Sequence, residues 1–337
     1  MRPVAETRAG ARAVQFVAPY RVDLANVALA EPKAGEVLVR ADFSGVSGGT
    51  ELLAYRGELD SRLPRDETLG ALAGTFQYPF TYGYSVVGTV ERSRSNVGEG
   101  ARVFAFHPHQ DRFVVPARDV VPVEHVNART ATLFPLVETA LQLVLDAGVR
   151  YGEVVAVLGL GPVGLLAAIL LARSGATVVG SDPKRWRREA AVACGLDAVA
   201  PEKLDDAVGE ASGDRGADVL VEATGNPDVL GERLALLASE GVALVASWYG
   251  VKRVTIPLGG AFHRRRLEIR SSQVSTLGSR AGRWDRKRRL ETTRRLLTEL
   301  PLSPLASHTV PFERAPEAYA ALDRGDDGLV HVALAYA

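Results

Sequence analysis

The sequence predicts an α/β protein in which a mostly β N-terminal domain precedes a doubly wound parallel sheet. The first observation is Val154 to Leu158, a short apolar run rich in branched residues, as in a strand buried on both faces. The second is the triplet Gly159, Gly161 and Gly164 directly after it. The third is a helical segment, Pro162 to Ser174. These parts in this order are typical of the first unit of a dinucleotide-binding sheet.

The acid that follows the second strand strengthens this interpretation. Gly175 ends the helix, ATVVGS reads as a strand, and Asp182 stands 18 residues after Gly164. An acid there can accept hydrogen bonds from an adenosine ribose, and the helix N-terminus favours a pyrophosphate. The alternative is a tight glycine turn in an unrelated α/β domain.

Length and composition set the class of protein. A chain of 337 residues exceeds what one core usually supports, so two domains are expected. Forty basic and forty acidic residues balance, which argues against nucleic acid or an anionic membrane as a partner. A single cysteine, Cys194, excludes internal disulfides and a cysteine zinc cluster. With no secretory signal and no apolar run of membrane-spanning length, we expect a cytoplasmic protein.

The N-terminal domain is predicted to be all-β and barrel-like. After a frayed tail, Met1 to Gly10, strands are expected at AVQFV, EVLVRADFSGV, YSVVGTVE, ARVFAF and RFVVP. The segment Leu53 to Pro79 has no clear period, and long loops of this kind often form lids or pocket walls. A disordered surface loop is the alternative.

The remaining elements continue the alternation of strands and helices. Leu133 to Gly148 and Arg283 to Leu300 are predicted helices, and the second is expected to have a solvated basic face rather than a nucleic-acid patch. A strand, a helix and a strand are expected at the C-terminal end. The other predicted elements are helices Lys184 to Cys194 and Val229 to Ala238, and strands Leu196 to Val199, Ala217 to Val221 and Val242 to Ala246.

Six motifs in order resemble the medium-chain dehydrogenase/reductase superfamily of zinc alcohol dehydrogenases and quinone reductases. They are SGVSGGTE at Ser44, GYSVVGTV at Gly83, VETALQLV at Val137, GLGPVG at Gly159, EATGNP at Glu222 and HTVPFERAPEAYAAL at His308. The first motif and RSSQVS at Arg270 are most similar to the branch of bacteriochlorophyllide dehydrogenases and threonine-dehydrogenase-like proteins. The resemblance implies a GroES-like barrel domain, residues 1–132 completed by 300–337, a Rossmann domain, residues 133–299, and a homodimer.

The sequence departs from this family at the zinc ligands. The resemblance places the ligand positions at Ser47 or Gly48, at Tyr84 followed by Ser85, and near Pro135. Zinc prefers thiolate, imidazole or carboxylate ligands, which these residues do not supply. We therefore expect no metal.

Without a metal, a side chain must move the proton or stabilise the oxyanion. The resemblance makes Tyr84, Ser47, Glu51 and His107 the catalytic candidates. His109 was expected to point elsewhere. For each candidate the alternative is packing or an ordinary hydrogen bond.

The same resemblance assigns the cofactor residues. Asp182 favours NAD because it would repel a 2′-phosphate, whereas the basic residues after it would suit NADP. The cofactor-binding candidates are Thr139, Gly159, Leu160, Gly161, Pro162, Val163, Gly164, Asp182, Lys184, Arg187, Thr224 and Gly225.

The predicted function is interconversion of a secondary alcohol and a ketone, by hydride transfer, on a cyclic organic substrate of the secondary-metabolite type. Reduction of an activated carbon–carbon double bond is an alternative within enzymes. A cofactor-binding sensor or structural protein without turnover is the alternative of another class.

Overall fold

The computed structural model of the protein describes residues 10–306 and 308–337. The chain divides into two compact units. Unit 1 contains the chain up to Phe134 and returns at Ala306–Ala337, and unit 2 is Pro135–Leu305. The predicted tail, Met1 to Gly10, lies outside the described residues except for Gly10, which begins the first strand.

Unit 1 begins with eight strands and two short helices. They are β1 Gly10–Ala18, β2 Arg21–Ala28, β3 Glu36–Val46, α1 Thr50–Arg56, β4 Phe80–Thr81, β5 Val86–Ser93, β6 Arg102–Ala105, β7 Arg112–Pro116, β8 Val120–Pro122 and α2 Ala128–Ala131. The predicted five strands are all present, and β2, β4 and β8 were missed.

Unit 2 is built on a six-stranded parallel sheet with strand order β11-β10-β9-β12-β13-β14. This order reverses direction between β9 and β12, as in a doubly wound dinucleotide-binding sheet. The elements are α3 Phe134–Ala147, β9 Val154–Leu158, α4 Pro162–Arg173, β10 Thr177–Ser181, α5 Arg185–Ala193, β11 Asp197–Val199, α6 Leu204–Ser212, β12 Ala217–Glu222, α7 Pro227–Arg233, β13 Leu237–Val245, β14 Glu268–Ser271 and α8 Arg286–Glu299.

After unit 2 the chain completes unit 1 with β15 His308–Pro311, α9 Ala315–Arg324 and β16 Val332–Ala335. β16 pairs with β3, so these residues join a seven-stranded sheet of order β15-β16-β3-β5-β6-β8, with β7 also on β3. A separate three-stranded sheet has order β2-β1-β4. An aromatic cluster fills the space beside it, with Phe16 stacked on Phe80 at 5.1 Å and edge-on to Tyr319 at 5.2 Å.

Three sequence predictions were wrong in detail. The helix predicted at Val229 to Ala238 ends at Arg233, because Leu237 already belongs to the buried strand β13. The aperiodic segment Leu53 to Pro79 begins inside α1, whose apolar residues are buried. On α8 the basic face is not wholly solvated, since Arg289 is 3% exposed and pairs with Glu138 at 2.9 Å.

In the described part of the chain no helix is long and apolar enough to cross a membrane.

Candidate active site

The glycine loop after β9 is shaped by close backbone approaches. Gly159 has a φ of 88°, and a Cβ there would lie 2.7 Å from the carbonyl oxygen of Ala223. A Cβ on Gly164 would lie 1.9 Å from the carbonyl oxygen of Gly159. A Cβ on Gly161, by contrast, would meet only the Nη1 atom of Arg187 at 4.0 Å. The fold therefore requires glycine at Gly159 and Gly164. At Gly161 there is open space in which a ligand can come close to the protein backbone.

The helix after the loop presents its N-terminus at the same place. Gly161 is the N-cap of α4, and Pro162 occupies its first turn, where a missing N–H costs nothing. Val163 follows, and the side chain of Leu160 is buried. The loop lies where the strand order reverses, which is where such sheets bind dinucleotides. This cradle fits a pyrophosphate.

Asp182 holds the loop rather than facing solvent. Its carboxylate is 1% exposed, with Oδ2 accepting from the Leu160 N–H at 2.9 Å and Oδ1 from the Lys184 N–H at 2.8 Å. Arg187 also pairs with Oδ2 at 3.2 Å. Each carboxylate oxygen can accept more than one hydrogen bond. A ribose hydroxyl can therefore still donate to Asp182, although this carboxylate already accepts hydrogen bonds from its own chain.

The basic residues after Asp182 also have partners. Arg185 pairs with Glu189 at 2.8 Å, and Arg188 donates to the carbonyl oxygen of Asp182 at 2.7 Å. Lys184 and Arg187 both lie over the Trp186 ring, at 5.7 and 5.1 Å from its centroid. The charges that suggested a 2′-phosphate site are thus engaged within unit 2.

A second buried carboxylate fixes the loop after β12. Glu222 is 0% exposed; Oε1 accepts from the Thr224 N–H at 2.7 Å and from its hydroxyl, and Oε2 accepts from the Tyr249 hydroxyl at 2.6 Å. The pKa of Tyr249 is raised, mainly by burial and secondly by the neighbouring Glu222 carboxylate, so the phenol stays protonated. The Gly225 N–H donates to the Ser247 hydroxyl at 2.8 Å. Thr224 and Gly225, both predicted, therefore lie on a braced loop at the carboxyl edge of the sheet.

Thr139, the remaining cofactor candidate, lies half-buried on α3. Its hydroxyl donates to the carbonyl oxygen of Pro135 at 2.8 Å, one helical turn earlier.

In unit 1 the carboxylate of Glu51 is completely buried at the start of α1. Oε1 accepts from the Ser47 N–H at 2.9 Å, and Oε2 accepts from His109 Nε2 at 2.9 Å and from the Tyr319 hydroxyl. Burial and the Glu51 charge together raise the pKa of Tyr319 far above its ordinary value. Three donors therefore converge on one carboxylate.

His109 extends this arrangement into a longer chain. Its Nδ1 lies 2.8 Å from the Ser44 hydroxyl, which lies 2.8 Å from the Tyr336 hydroxyl. The His109 ring is 0% exposed and packs on Gly83, where a Cβ would lie 2.5 Å from the ring. Its main chain is also fixed, since its carbonyl accepts from the Val14 N–H at 2.9 Å. We call Tyr336, Ser44, His109, Glu51 and Tyr319 the buried polar chain.

Tyr84 lies beside the buried polar chain. Burial, as the main cause, and the charge of Glu51, as the second, raise the pKa of this half-buried residue to about 12. Tyr84 is therefore a phenol at neutral pH and can donate a hydrogen bond. Ser47, 7% exposed, donates its N–H to the Glu51 carboxylate. The structure thus brings three of the four catalytic candidates together.

His107, the fourth candidate, is not part of this arrangement. Its ring stacks on Phe113 at 4.0 Å, and Nδ1 donates to the Pro108 carbonyl oxygen at 3.0 Å. Burial lowers the pKa of His107 to about 4. The imidazole is neutral at physiological pH and leaves Nε2 as an acceptor.

Comparison with known proteins gives the chain a family. A zinc-binding dehydrogenase profile matches residues 162–289. The D-guloside 3-dehydrogenase of Escherichia coli K12 is 30% identical over 313 residues, covering 85% of this chain and 88% of that protein. The chain belongs to the zinc-binding dehydrogenase family. It is therefore an oxidoreductase, and the predicted resemblance to medium-chain dehydrogenases is confirmed.

The predicted branch and fold are also confirmed. The 2-desacetyl-2-hydroxyethyl bacteriochlorophyllide A dehydrogenase of Cereibacter sphaeroides is 27% identical over 331 residues, covering 91% of this chain and 93% of that protein. Among solved structures, a short-chain alcohol dehydrogenase from E. coli CFT073, complexed with NADH, superposes with a TM-score of 0.77 at 17% identity, covering 97% and 99% of the two chains. The fold is that of a GroES-like domain with a Rossmann domain.

The zinc of this family does not fit the residues at its ligand positions. Ser47 and Tyr84 present hydroxyls, and the pKa of Tyr84, about 12, keeps it protonated, whereas zinc binds deprotonated ligands. The nearby Glu51 carboxylate is 0% exposed and already accepts three hydrogen bonds. Across residues 10–306 and 308–337, no group of three or more His, Cys, Asp or Glu side chains is arranged to hold a metal ion. No step is derived through zinc.

Sequence reasoning missed most of the buried polar chain. His109 was set aside on strand alternation, yet alternation places residues i and i+2 on the same face, and β6 has already ended at Ala105. Tyr319 and Tyr336 come from the C-terminal return, in positions that read as ordinary core aromatics. The one available signal was Glu51 itself, an acid preceding the apolar run Leu52 to Ala54.

Proposed function

We propose that this oxidoreductase interconverts a secondary alcohol and a ketone on a cyclic organic substrate by hydride transfer with NAD(H). The family relationship supports the reaction class. The ring-bearing substrates named for the D-guloside and bacteriochlorophyllide relatives support a cyclic substrate.

The observation that carries the proposal is the phenol of Tyr84 at a position where the family has a zinc ligand. When bound, the nicotinamide supplies or accepts the hydride. In the reduction direction the Tyr84 hydroxyl donates a hydrogen bond to the carbonyl oxygen and then its proton to the forming alkoxide. Solvent returns that proton to the phenolate. Because the pKa of Tyr84 is about 12, the donor is present throughout the neutral range.

Ser47 and Glu51 have different roles in this scheme. Glu51 accepts from the Ser47 N–H and fixes the turn between β3 and α1, and in this scheme the hydroxyls of that turn stand near Tyr84. His107, neutral and stacked on Phe113, would line the substrate pocket and accept a hydrogen bond through Nε2. We propose no catalytic metal.

We propose NAD rather than NADP as the cofactor. Asp182 stands after β10, and the neighbouring cation Arg187 is already paired with it at 3.2 Å. A 2′-phosphate would meet a negative charge whose neutralising partner is engaged. Comparing the binding of NADH and NADPH by fluorescence tests this, and a strong preference for NADPH would overturn it. Homodimerisation belongs to the same proposal and is tested by sedimentation velocity.

Turnover against a substrate panel tests the proposed reaction. The panel contains glycosides, cyclitols and their keto forms, together with quinones and enones, each assayed with NAD(H). We expect turnover with secondary alcohols and ketones, without zinc in elemental analysis. Turnover confined to quinones or enones would indicate reduction of a carbon–carbon double bond. Tight cofactor binding without turnover of any compound on the panel would indicate a cofactor-binding sensor.

Variants then test the proton donor. Tyr84→Phe should lower kcat by about 100-fold or more, the usual range for loss of a general acid. Tyr20→Phe is the matched control, because it removes the hydroxyl of an exposed tyrosine of unit 1. If Tyr84→Phe and His107→Ala both keep full turnover, the assignment of the acid is wrong.

A further inference from the structure

We propose that a cleft on the outer face of the three-stranded sheet of unit 1 binds a small polyhydroxylated anion, with Arg65 holding its negative group. The cleft has a volume of about 530 Å³, within the range of small-molecule sites in proteins. It is open to solvent on one side. The lining residues that carry the argument are Gln15, Arg65, Thr75, Gln77, Tyr78 and Thr81. The inference goes beyond the proposed reaction and does not rest on it.

The pairing of β1 with β4 separates this cleft from the core of unit 1. Gln15 lies opposite Thr81 in the register, and Phe16 lies opposite Phe80. The two phenylalanine rings are stacked and buried on the core side. Because side chains alternate between the two faces of a strand, Gln15 and Thr81 point to the outer face. Tyr84 packs against the buried cluster that contains the phenylalanines, so the cleft is a separate site.

The segment between α1 and β4 brings Arg65 to the cleft. Pro64 and Thr75 form an isolated antiparallel bridge, which holds the two sides of this segment together. The Arg65 guanidinium donates through Nη1 to the carbonyl oxygen of Thr81 at 2.5 Å, and through Nη2 to that of Ala73. Arg65 thereby ties the segment to β4 and has its planar head fixed at the cleft.

The charge of Arg65 is not balanced within residues 10–306 and 308–337. Both of its hydrogen bonds go to neutral carbonyl oxygens, and its Nε atom is buried without a hydrogen-bond partner. The neighbouring Asp66 faces its own turn, where Oδ1 accepts from the Thr68 N–H at 2.6 Å and from the Leu69 N–H at 2.9 Å. A cation that is partly withdrawn from water and lacks a counter-ion attracts an anion more strongly than a solvated one.

The guanidinium also keeps donors for a ligand. Of its five N–H groups, two are used by the carbonyl oxygens and one is buried at Nε, which leaves one each on Nη1 and Nη2. Burial lowers the pKa of Arg65, but a guanidinium remains charged at neutral pH. Charge-assisted hydrogen bonds from arginine to a carboxylate or phosphate are among the stronger ones in proteins.

The other lining residues offer neutral polar groups. The side-chain amides of Gln15 and Gln77 and the hydroxyl of Thr81 form no hydrogen bond with any other described residue. Amides and hydroxyls both donate and accept, as the hydroxyls of a sugar do. Tyr78 adds an aromatic ring, since its hydroxyl already donates to the carbonyl oxygen of Ala54 at 2.5 Å. One cation beside several neutral hydrogen-bonding groups fits a sugar acid or a sugar phosphate.

Calorimetric titration of the full chain tests the proposal without any measurement of turnover. Gluconate represents a sugar acid, glucose 6-phosphate a sugar phosphate, and sorbitol a neutral polyol. We expect at least one of the two anions to bind with a Kd of about 1 mM or lower, and sorbitol to bind at least about tenfold more weakly. The tighter anion identifies the source of the negative group. Equal affinity for sorbitol, or no binding of either anion, would overturn the proposal, and so would inorganic phosphate binding as tightly as the sugar anions.

Variants then assign the binding to the cleft. Arg65→Gln should weaken anion binding about tenfold or more, and Gln77→Leu about threefold. Arg62→Gln is the matched control, because the Arg62 side chain is 88% exposed and pairs with Asp60 at 2.8 Å outside the cleft. Equal affinities in the two arginine variants would contradict the inference. Loss of anion binding in Tyr84→Phe would place the ligand at the other site of unit 1 and would also contradict it.

The structural role of Arg65 needs its own control. The near-ultraviolet circular dichroism of the tyrosines reports whether Arg65→Gln keeps the fold of unit 1. If the fold is lost, Gln15→Leu combined with Gln77→Leu replaces that variant, since neither amide bonds to the described protein. The double variant should bind the anion about tenfold more weakly, and an unchanged affinity would rule out the cleft as the binding site.

Discussion

The glycine loop of unit 2 and the buried polar chain of unit 1 are two ways of building a site. The loop is local, because many of its contacts lie within Val154 to Asp182, and its neighbours outside that stretch, Arg187, Ala223 and Thr224, lie close to the ends of adjacent strands. The buried polar chain is nonlocal, because it joins side chains from five segments, with Ser44 and Tyr336 separated by 292 positions. A local site tolerates little change in its backbone, whereas a nonlocal site depends on each of its side chains.

The largest effect is expected at the loop. Gly164→Ala places a Cβ against the carbonyl oxygen of Gly159, so α4 must move away from β9. Unit 2 should lose about 3 kcal/mol or more of its free energy of unfolding, as for other substitutions that force the backbone to shift. All three tryptophans, Trp186, Trp248 and Trp284, lie in unit 2, so urea unfolding followed by tryptophan fluorescence measures this loss.

Gly161→Ala is the matched control for that change. Its Cβ would meet no backbone atom within 4 Å, so stability should stay within about 0.5 kcal/mol of the wild type. NADH affinity should nevertheless fall about tenfold or more, because the Cβ occupies the space of the pyrophosphate. Unchanged NADH affinity would remove Gly161 from the cofactor site.

The next effect is expected in the buried polar chain. Glu51→Leu leaves the donors of Ser47, His109 and Tyr319 buried without an acceptor, which should cost about 3 kcal/mol. Unit 1 contains no tryptophan, so its unfolding is followed by the near-ultraviolet circular dichroism of its tyrosines. The tyrosine transition should shift while the tryptophan transition stays. A shared shift of both transitions would contradict the separation of the two sites.

A smaller effect is expected for cofactor choice. Asp182→Asn removes the charge that opposes a 2′-phosphate and releases Arg187 from its ion pair. The ratio of NADH to NADPH affinity should move toward NADPH by about tenfold, or roughly 1.4 kcal/mol. Asp218→Asn, whose carboxylate accepts from the Val154 N–H at the other end of β9, should leave that ratio unchanged.

At neutral pH the smallest effect is expected from two buried histidines, whose contribution to stability changes only in acid. Burial lowers the pKa of His107 to about 4 and that of His331 well below its ordinary value, with Arg129 adding to the shift of His331. Both histidines bind protons more weakly when folded, so their contribution is complete above about pH 6.5 and is lost as pH falls toward 4. Each contributes at most about 1.4 kcal/mol per pH unit. His107→Phe should flatten the tyrosine-monitored stability profile between pH 6.5 and 4, and an unchanged slope would contradict the burial of a neutral His107.

The same contrast explains what the sequence could predict. Val154 to Leu158 was located to the residue, and the doubly wound parallel sheet of unit 2 was predicted from its alternating strands and helices, although its edge strand β14 was missed. The side chains around Glu51 could not be predicted in this way. Hydrogen bonds between distant segments leave no periodic pattern in the sequence, so His109 and Tyr319 were invisible until the fold brought them together.

Arg289 shows the same limit within unit 2. On a helix with many arginines it resembles its solvated neighbours, yet its guanidinium also donates to Gln142 at 2.6 Å. Composition predicts how polar a helix surface is on average. It does not identify the residue that turns inward.

The return of the chain to unit 1 has a consequence for how the protein is made. A ribosome completes all of unit 2 before it adds α9 and β16, which carry Tyr319 and lead to Tyr336. Domains commonly fold as they emerge during translation. Unit 2 is therefore synthesised in full while unit 1 is still incomplete, and Glu51 lacks its hydrogen-bond partner Tyr319, 268 positions downstream, until the last part of the chain is made.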